Sequence, residues 1–246
     1  VFTGHGPRIV IDATASEQVA ERHAHWLSKG IHVVTACKLG QGTSLARWRA
    51  IQFARARGGS DYGDSATVGA GLPLLRTLRE LQAGGDRIHA IAGVLSGSMA
   101  WLFNEYDGLR PFSGFVRQAC EAGYTEPDPR DDLSGMDVAR KLLVMAREAG
   151  FMLNLDQVQI ESVLPAGFAD GLSVPEFMAK LPELNAQFAA RVATAKAEGK
   201  VLRYIGDIQN GQCRIAIKAL DAEHPLAKVK DGENALAIQT QYYQPI

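Results

Sequence analysis

Along the first quarter of the chain, short apolar runs alternate with amphipathic stretches, and glycines mark the changes. Ile9, Val10 and Ile11 form a β-branched run ending in Asp12, which predicts a buried strand over 7–12. Ser16 is suited to cap a helix over 17–29, where Val19, Ala20, His23, Trp26 and Leu27 recur near helical spacing and Gly30 closes the run. A second apolar run at 31–35 completes strand, helix and strand, so the two strands should lie parallel. A further helix over 41–57 ends at Gly58-Gly59, and 60–65 should return to the sheet.

Beyond Thr67 the rhythm changes. Helices are predicted at 72–83, 99–106, 112–122, 135–149, 174–180 and 184–197, and strands at 88–95 and 157–163. The last stretch alternates at period two over 201–208, 213–220 and 235–243, with Asn210-Gly211 as a hairpin turn between the first two. An α/β parallel part over 1–66 is therefore expected before an α+β part with a mixed sheet over 67–246. The strands at 201–208 and 213–220 read as exposed faces needing a second layer, which a homodimer or higher homo-oligomer would supply.

Composition narrows the function classes. The 246 residues carry 26 basic and 27 acidic side chains, a net charge of -1, so no strong field draws a nucleic-acid partner. No apolar run approaches the roughly 20 residues of a membrane-spanning helix, so no membrane partner is expected. The opening Val1-Phe2-Thr3-Gly4 resembles no targeting signal and lacks an initiating Met, so the chain reads as a fragment. Cys37, Cys120 and Cys213 are odd in number and far apart, which fits a reducing, cytoplasmic setting.

The candidate chemistry concentrates at 123–141. Five acids (Glu126, Asp128, Asp131, Asp132 and Asp137) fall within twelve residues, and Pro127 and Pro129 hold Glu126 and Asp128 extended. This predicts a rigid loop rather than a helical turn, with a helix starting near Ser134-Gly135. Such acids repel one another unless a cation or cationic substrate is present. Asp137 and Lys141, four apart, share a helix face. Ser134 with Asp137 also fits a capping box, and Asp137 with Lys141 an ordinary surface ion pair.

The run Ala122-Gly123-Tyr124-Thr125-Glu126-Pro127-Asp128-Pro129-Arg130-Asp131-Asp132-Leu133-Ser134-Gly135-Met136-Asp137-Val138-Ala139-Arg140-Lys141 resembles the signature of homoserine dehydrogenases. Val33-Val34-Thr35-Ala36-Cys37-Lys38, Ala66-Thr67-Val68-Gly69-Ala70-Gly71-Leu72-Pro73 and Leu95-Ser96-Gly97-Ser98 agree with it. The likeness is to the dehydrogenase half of bifunctional aspartokinase/homoserine dehydrogenases. It implies a partial Rossmann-like NAD(P)-binding domain over 1–66, then a catalytic and dimerisation domain over 67–246. The implied reaction interconverts L-homoserine and L-aspartate 4-semialdehyde, in the aspartate-family route to threonine and methionine, with NAD or NADP carrying the hydride.

By the same resemblance, Lys141 exchanges the proton at the substrate oxygen, Glu126 and Asp137 hold the substrate, and Asp132 supports its amino group. Gly97 and Ser98 would lie near the substrate, although Ser98 also fits as the N-cap of the next helix. Lys38 would sit beside the nicotinamide at a strand tip, or else be a solvated loop lysine. Thr14, Lys38 and Gly123 are the cofactor contacts implied. The carbonyls of Val68, Ala70 and Leu72 would hold a monovalent cation such as Na+, while the glycines there also fit simple close packing. Ser65 stands where some family members have an acid, and Cys37 stands where Asn is usual, which is expected to loosen the turn at Lys38. The family's opening phosphate loop is not found in this sequence. That leaves a non-catalytic binding and dimerisation fragment as the alternative.

Overall fold

The computed structural model describes residues 6–244. Strand β1 (Ile9–Asp12) runs parallel to β2 (His32–Thr35), with Ile9 opposite His32 and Asp12 opposite Thr35, and β3 (Tyr62–Gly63) joins the far side of β2, also parallel. Between β1 and β2 the single predicted helix divides into α1 (Glu17–Ala20) and α2 (His23–Ser28). The break is a tight turn in which Arg22 N–H reaches Val19 O at 3.0 Å. Just beyond it, His23 points inward and is wholly buried. The helix predicted from 41 begins late, as α3 (Leu45–Gly58) capped by Ser44, because the chain first makes a tight turn over 38–43.

One face of this small sheet packs Val33 against Leu27, Ile51, Ala54 and Tyr62. Its other face is bare: Ile9, Ile11 and Val34 are 56%, 76% and 46% exposed.

The remaining strands make a mixed five-stranded sheet in the order β5-β7-β6-β4-β8. They are β4 (Ile88–Val94), β5 (Gln159–Ile160), β6 (Lys200–Gln209), β7 (Gln212–Asp221) and β8 (Ala235–Thr240); only β5 pairs parallel. The Asn210-Gly211 turn joins β6 to β7 as the sequence predicts, both residues having positive φ. Packed around the sheet are α4 (Leu74–Ala83), α5 (Gly97–Glu105), α6 (Phe112–Glu121), α7 (Pro129–Leu133), α8 (Met136–Glu148), α9 (Val174–Lys180) and α10 (Asn185–Ala197). Helix α8 is the centre of this part, with Leu142, Leu143, Val144, Met145 and Ala146 completely buried. Among the described residues no helix is long and apolar enough to cross a membrane.

Strand β6 departs from expectation, since Leu202 through Ile208 are all buried. On one face Leu202, Tyr204 and Ile208 join the main core. On the other, Ile205 is covered by Leu226 and Val229 from the connection after β7, so the chain supplies this second layer itself.

Helix α8 starts at Gly135, whose φ of 76° is left-handed and whose missing Cβ would stand 2.1 Å from the Tyr204 hydroxyl. No capping box forms; Ser134 Oγ instead accepts Met136 N–H at 3.2 Å. The left-handed backbone alone costs an L-residue roughly 1–2 kcal/mol, so Gly135→Ala is expected to destabilise the fold by at least that amount. Equilibrium denaturation measures it, and a loss within experimental error would contradict the packing described.

Candidate active site

The acidic segment is organised by its own chain. Asp128 is extended, as the following proline requires, but Pro129 opens the short helix α7 instead of continuing a loop. A proline is well placed in a first helical turn, where its missing N–H leaves no bond unmade. Asp128 accepts the Arg130 backbone N–H at 3.0 Å, and the Arg130 side chain grips the same carboxylate while donating to Leu172 O at 2.6 Å. The two carboxylate oxygens of Asp132 are also spoken for. Oδ1 accepts the Ser98 hydroxyl at 2.6 Å and Oδ2 accepts the Glu126 N–H at 2.8 Å. Asp132 thus fastens the acidic segment to the start of α5. There Ser96, not Ser98, is the N-cap, accepting Met99 N–H at 3.3 Å, and Gly97 opens the helix against Gly232.

Asp137, on α8, links the turn after β2 to its own helix. Its Oδ1 lies 3.1 Å from Lys38 Nζ and its Oδ2 lies 2.8 Å from Lys141 Nζ. Lys141 also donates to Leu95 O at 2.8 Å, at the end of β4. Burial pushes the Asp137 carboxyl upward, but the ammonium groups of Lys141 and Lys38 outweigh this and hold it below the usual carboxylate range. The expected repulsion among the acids is relieved from within at two of the five: Arg130 neutralises Asp128, and the two lysines neutralise Asp137.

These groups meet at one cleft of about 530 Å³, whose walls include Thr14, Lys38, Glu126, Asp132, Asp137 and Arg140. Glu126 is exposed there. Lys141 reaches the cleft through Asp137, with one of its three hydrogens still without a partner among the described residues. Thr14 enters from the C-terminal end of β1, where its N–H and hydroxyl both donate to Asp12 Oδ1, at 2.9 and 2.7 Å. Asp12 Oδ2 meets His23 Nε2 at 2.9 Å, and His23 Nδ1 meets the Tyr62 hydroxyl at 2.9 Å. Burial pushes the Asp12 carboxyl up, but hydrogen bonds from Thr14 and His23 bring it below its ordinary value; burial lowers His23 against the pull of Asp12. At neutral pH the ring is neutral, its Nε2–H donating to Asp12 and its Nδ1 accepting from Tyr62.

Gly97, Ser98 and Lys141 do not themselves line this cleft, and Gly123 and the Val68–Leu72 turn lie apart from it. Gly123 is the exposed left-handed residue ending α6, with φ 73°. The turn Val68–Leu72 has positive φ at Gly69 and Ala70 and is closed by Leu72 N–H on Gly69 O at 2.9 Å. Cys37, which opens the Lys38 turn, is buried, and its N–H donates to the Thr35 hydroxyl at 2.9 Å.

The homoserine dehydrogenase family model matches residues 73–246. The chain belongs to the homoserine dehydrogenase family. It is 49% identical over 238 residues to a bifunctional aspartokinase/homoserine dehydrogenase of Haemophilus influenzae, an alignment covering 97% of the chain and 29% of that protein. It thus spans less than a third of the length of such relatives. A Candida auris protein of unknown function shares its fold with a TM-score of 0.93 and 36% identity, over 98% of this chain and 70% of that one. A hyperthermophilic archaeal homoserine dehydrogenase solved with NADPH shares the fold at a TM-score of 0.72 and 18% identity, over 97% and 63% of the two chains.

Three features of this cleft carry no clear signature in the sequence. They are the Asp12–His23–Tyr62 network beneath Thr14, the Ser96 cap beside Ser98, and Arg140 in the wall, whose Nε is buried without a partner among the described residues. The acid closing the first apolar run was the one signal available for the network.

The Asp137 carboxyl titrates lower folded than unfolded. Its stabilising effect is therefore complete above its unfolded pKa of about 4 and is lost as pH falls through the lower folded value. Asp137→Asn is expected to be less stable than the parent at pH 7, with the gap closing as acid protonates the native carboxylate. Denaturation curves across pH test this, and a gap independent of pH would contradict it.

Proposed function

We propose that the protein carrying this chain is an NAD(P)-dependent oxidoreductase that interconverts L-homoserine and L-aspartate 4-semialdehyde. The observation that carries the reading is the Asp137 carboxylate held between Lys38 and Lys141 at a cleft that also presents Glu126 and Asp132. An amino-acid substrate brings an ammonium, which carboxylates recognise, and a side-chain oxygen that must gain or lose a proton.

Lys141 takes the proton-transfer role. Its Nζ is fixed by Asp137 and by Leu95 O, leaving a hydrogen to direct at the substrate oxygen. Reduction places a hydride on the aldehyde carbon and this proton on its oxygen; oxidation returns both. Glu126 offers an uncommitted carboxylate to the substrate ammonium. Asp132 is already positioned by Ser98 and Glu126 N–H, yet each oxygen retains a lone pair for the same ammonium. Ser98 and Gly97 act by placing Asp132 and the start of α5.

The residues present suit the nicotinamide end of the cofactor. The exposed Thr14 and the ammonium of Lys38 stand at the C-terminal ends of two parallel strands, the ligand side of an open α/β sheet. When bound, the nicotinamide supplies or accepts the hydride. Gly123, exposed in the left-handed turn after α6 with its N–H already on Cys120 O at 3.1 Å, is the third cofactor contact in this reading. The NADPH complex of the archaeal relative agrees with a nicotinamide cofactor.

The Val68–Leu72 turn does not fit a monovalent cation well. Leu72 O already accepts Leu74 N–H at 2.9 Å, and the carboxylate nearest in sequence, Asp64, is spent on Arg79 at 2.8 and 2.6 Å. No step is routed through such an ion. The alternative of a non-catalytic fragment is not favoured, because the acid and lysine set is assembled. The division near residue 66, homodimer formation and a cytoplasmic setting belong to the same reading. The family resemblance supports the dimer, and three free cysteines support the setting.

Lys141→Ala is expected to cut reduction of aspartate semialdehyde by about 10²–10⁴-fold, the usual range for a lost general acid, with the fold retained. NADPH consumption by the full-length protein measures it. Turnover at the parent rate would refute the assignment.

A further inference from the structure

Among the described residues Arg147, in the last turn of α8, is the bulkiest fully buried side chain, 1% exposed, and no carboxylate pairs with it. Burial pushes its guanidinium down to about 10, so it remains a cation at neutral pH. A buried cation without a counter-ion is expensive, and its hydrogen bonds show what it holds. Nε and Nη2 donate to Leu153 O at 3.1 and 2.8 Å, Nη2 donates to Thr43 O at 2.7 Å, and Nη1 donates to Gln41 O. Leu153 closes the turn just after α8. Gln41 and Thr43, more than one hundred residues away in sequence, belong to the turn that begins at Lys38.

That turn is one unit. Lys38 O accepts the N–H groups of Gln41 at 3.2 Å and Gly42 at 2.6 Å, and Leu39 O accepts the Thr43 hydroxyl at 2.8 Å. It touches α8 a second time at Gly42, where a Cβ would lie 3.0 Å from both Cβ and O of Arg140. Arg140 and Arg147 are two helical turns apart. The Lys38 turn is thus fastened along the helix that carries Asp137 and Lys141, although it emerges from the other sheet.

We propose that Arg147 is a positioning residue that locks the Lys38 turn onto α8, so that Lys38 keeps its place on Asp137. The kinetic arm of its test rests on the function proposed above; the labelling arm does not.

In the full-length protein without substrate or cofactor, acylation of individual lysines is followed by mass spectrometry. Arg147→Met is expected to make Lys38 react several-fold faster while Lys141 keeps its rate, and Arg147→Lys, which lacks the planar fork, to fall between. In turnover, Arg147→Met is expected to lower kcat by about ten- to a hundredfold, as for an ångström-scale misplacement, with any change in the KM for NADPH no larger than Lys38→Met itself gives. In a Lys38→Met background the same change is expected to cost nothing further, because its effect passes through Lys38. A merely structural arginine would give losses that add.

Gly42→Ala attacks the same contact from the other side and is measured alongside, so that a poorly folding Arg147→Met leaves the matter decidable. Unchanged Lys38 labelling in the folded variants, or additive losses in the Lys38→Met background, overturns the proposal. A parent protein that labels as expected yet has no dehydrogenase activity would refute the proposed function and leave this inference standing.

Discussion

A single carboxylate shared by two ammonium groups is the contact on which this molecule turns. Asp137 sits on α8, Lys141 one helical turn further along, and Lys38 on a turn that leaves the parallel sheet. Two lysines placed this close repel each other, and an isolated carboxylate at this half-buried spot would resist ionisation. Together the three groups compensate. The same arrangement joins the turn after β2 to α8 at the cleft, so the chemistry and the packing between them share one set of bonds.

Much of the surrounding sequence serves to hold that contact still. Gly135 gives α8 its left-handed start beneath the Tyr204 hydroxyl, which fixes where Asp137 emerges. Asp132 ties the acidic segment to Ser98 at the head of α5, and Leu95 O, one residue before the Ser96 cap, receives Lys141. On the other side, neutral His23 bridges Asp12 and Tyr62, and Asp12 in turn holds Thr14 at the cleft. Gly40 packs directly on that bridge, where a Cβ would lie 2.6 Å from the Tyr62 hydroxyl, so the Lys38 turn is seated from below as well as from α8.

The parts legible in the sequence were those with a local signature. Asn210-Gly211 announced the β6–β7 hairpin, the repeated apolar positions announced α8, and Ser16 announced the start of α1. Strand, helix and strand spacing announced the parallel pair β1 and β2. The acidic segment stands out by composition but not by local structure, because the same Pro129 that restricts Asp128 is also a good first helical residue. Strand β6 looked exposed because its covering layer, around Leu226 and Val229, has no period of its own. The contacts of His23 with Asp12 and Tyr62, or of Arg147 with Gln41, join residues far apart in sequence with no shared pattern, and only the fold brings them together.

The most direct measurement of the central claim is a crystal structure of the full-length protein with a nicotinamide cofactor and L-homoserine bound together. The account predicts the ligand's side-chain hydroxyl within hydrogen-bonding distance of Lys141 Nζ, its ammonium on the carboxylates of Glu126 and Asp132, and Asp137 still bridging both lysines. An amino acid seated with its hydroxyl away from Lys141, or bound outside this cleft, would contradict it.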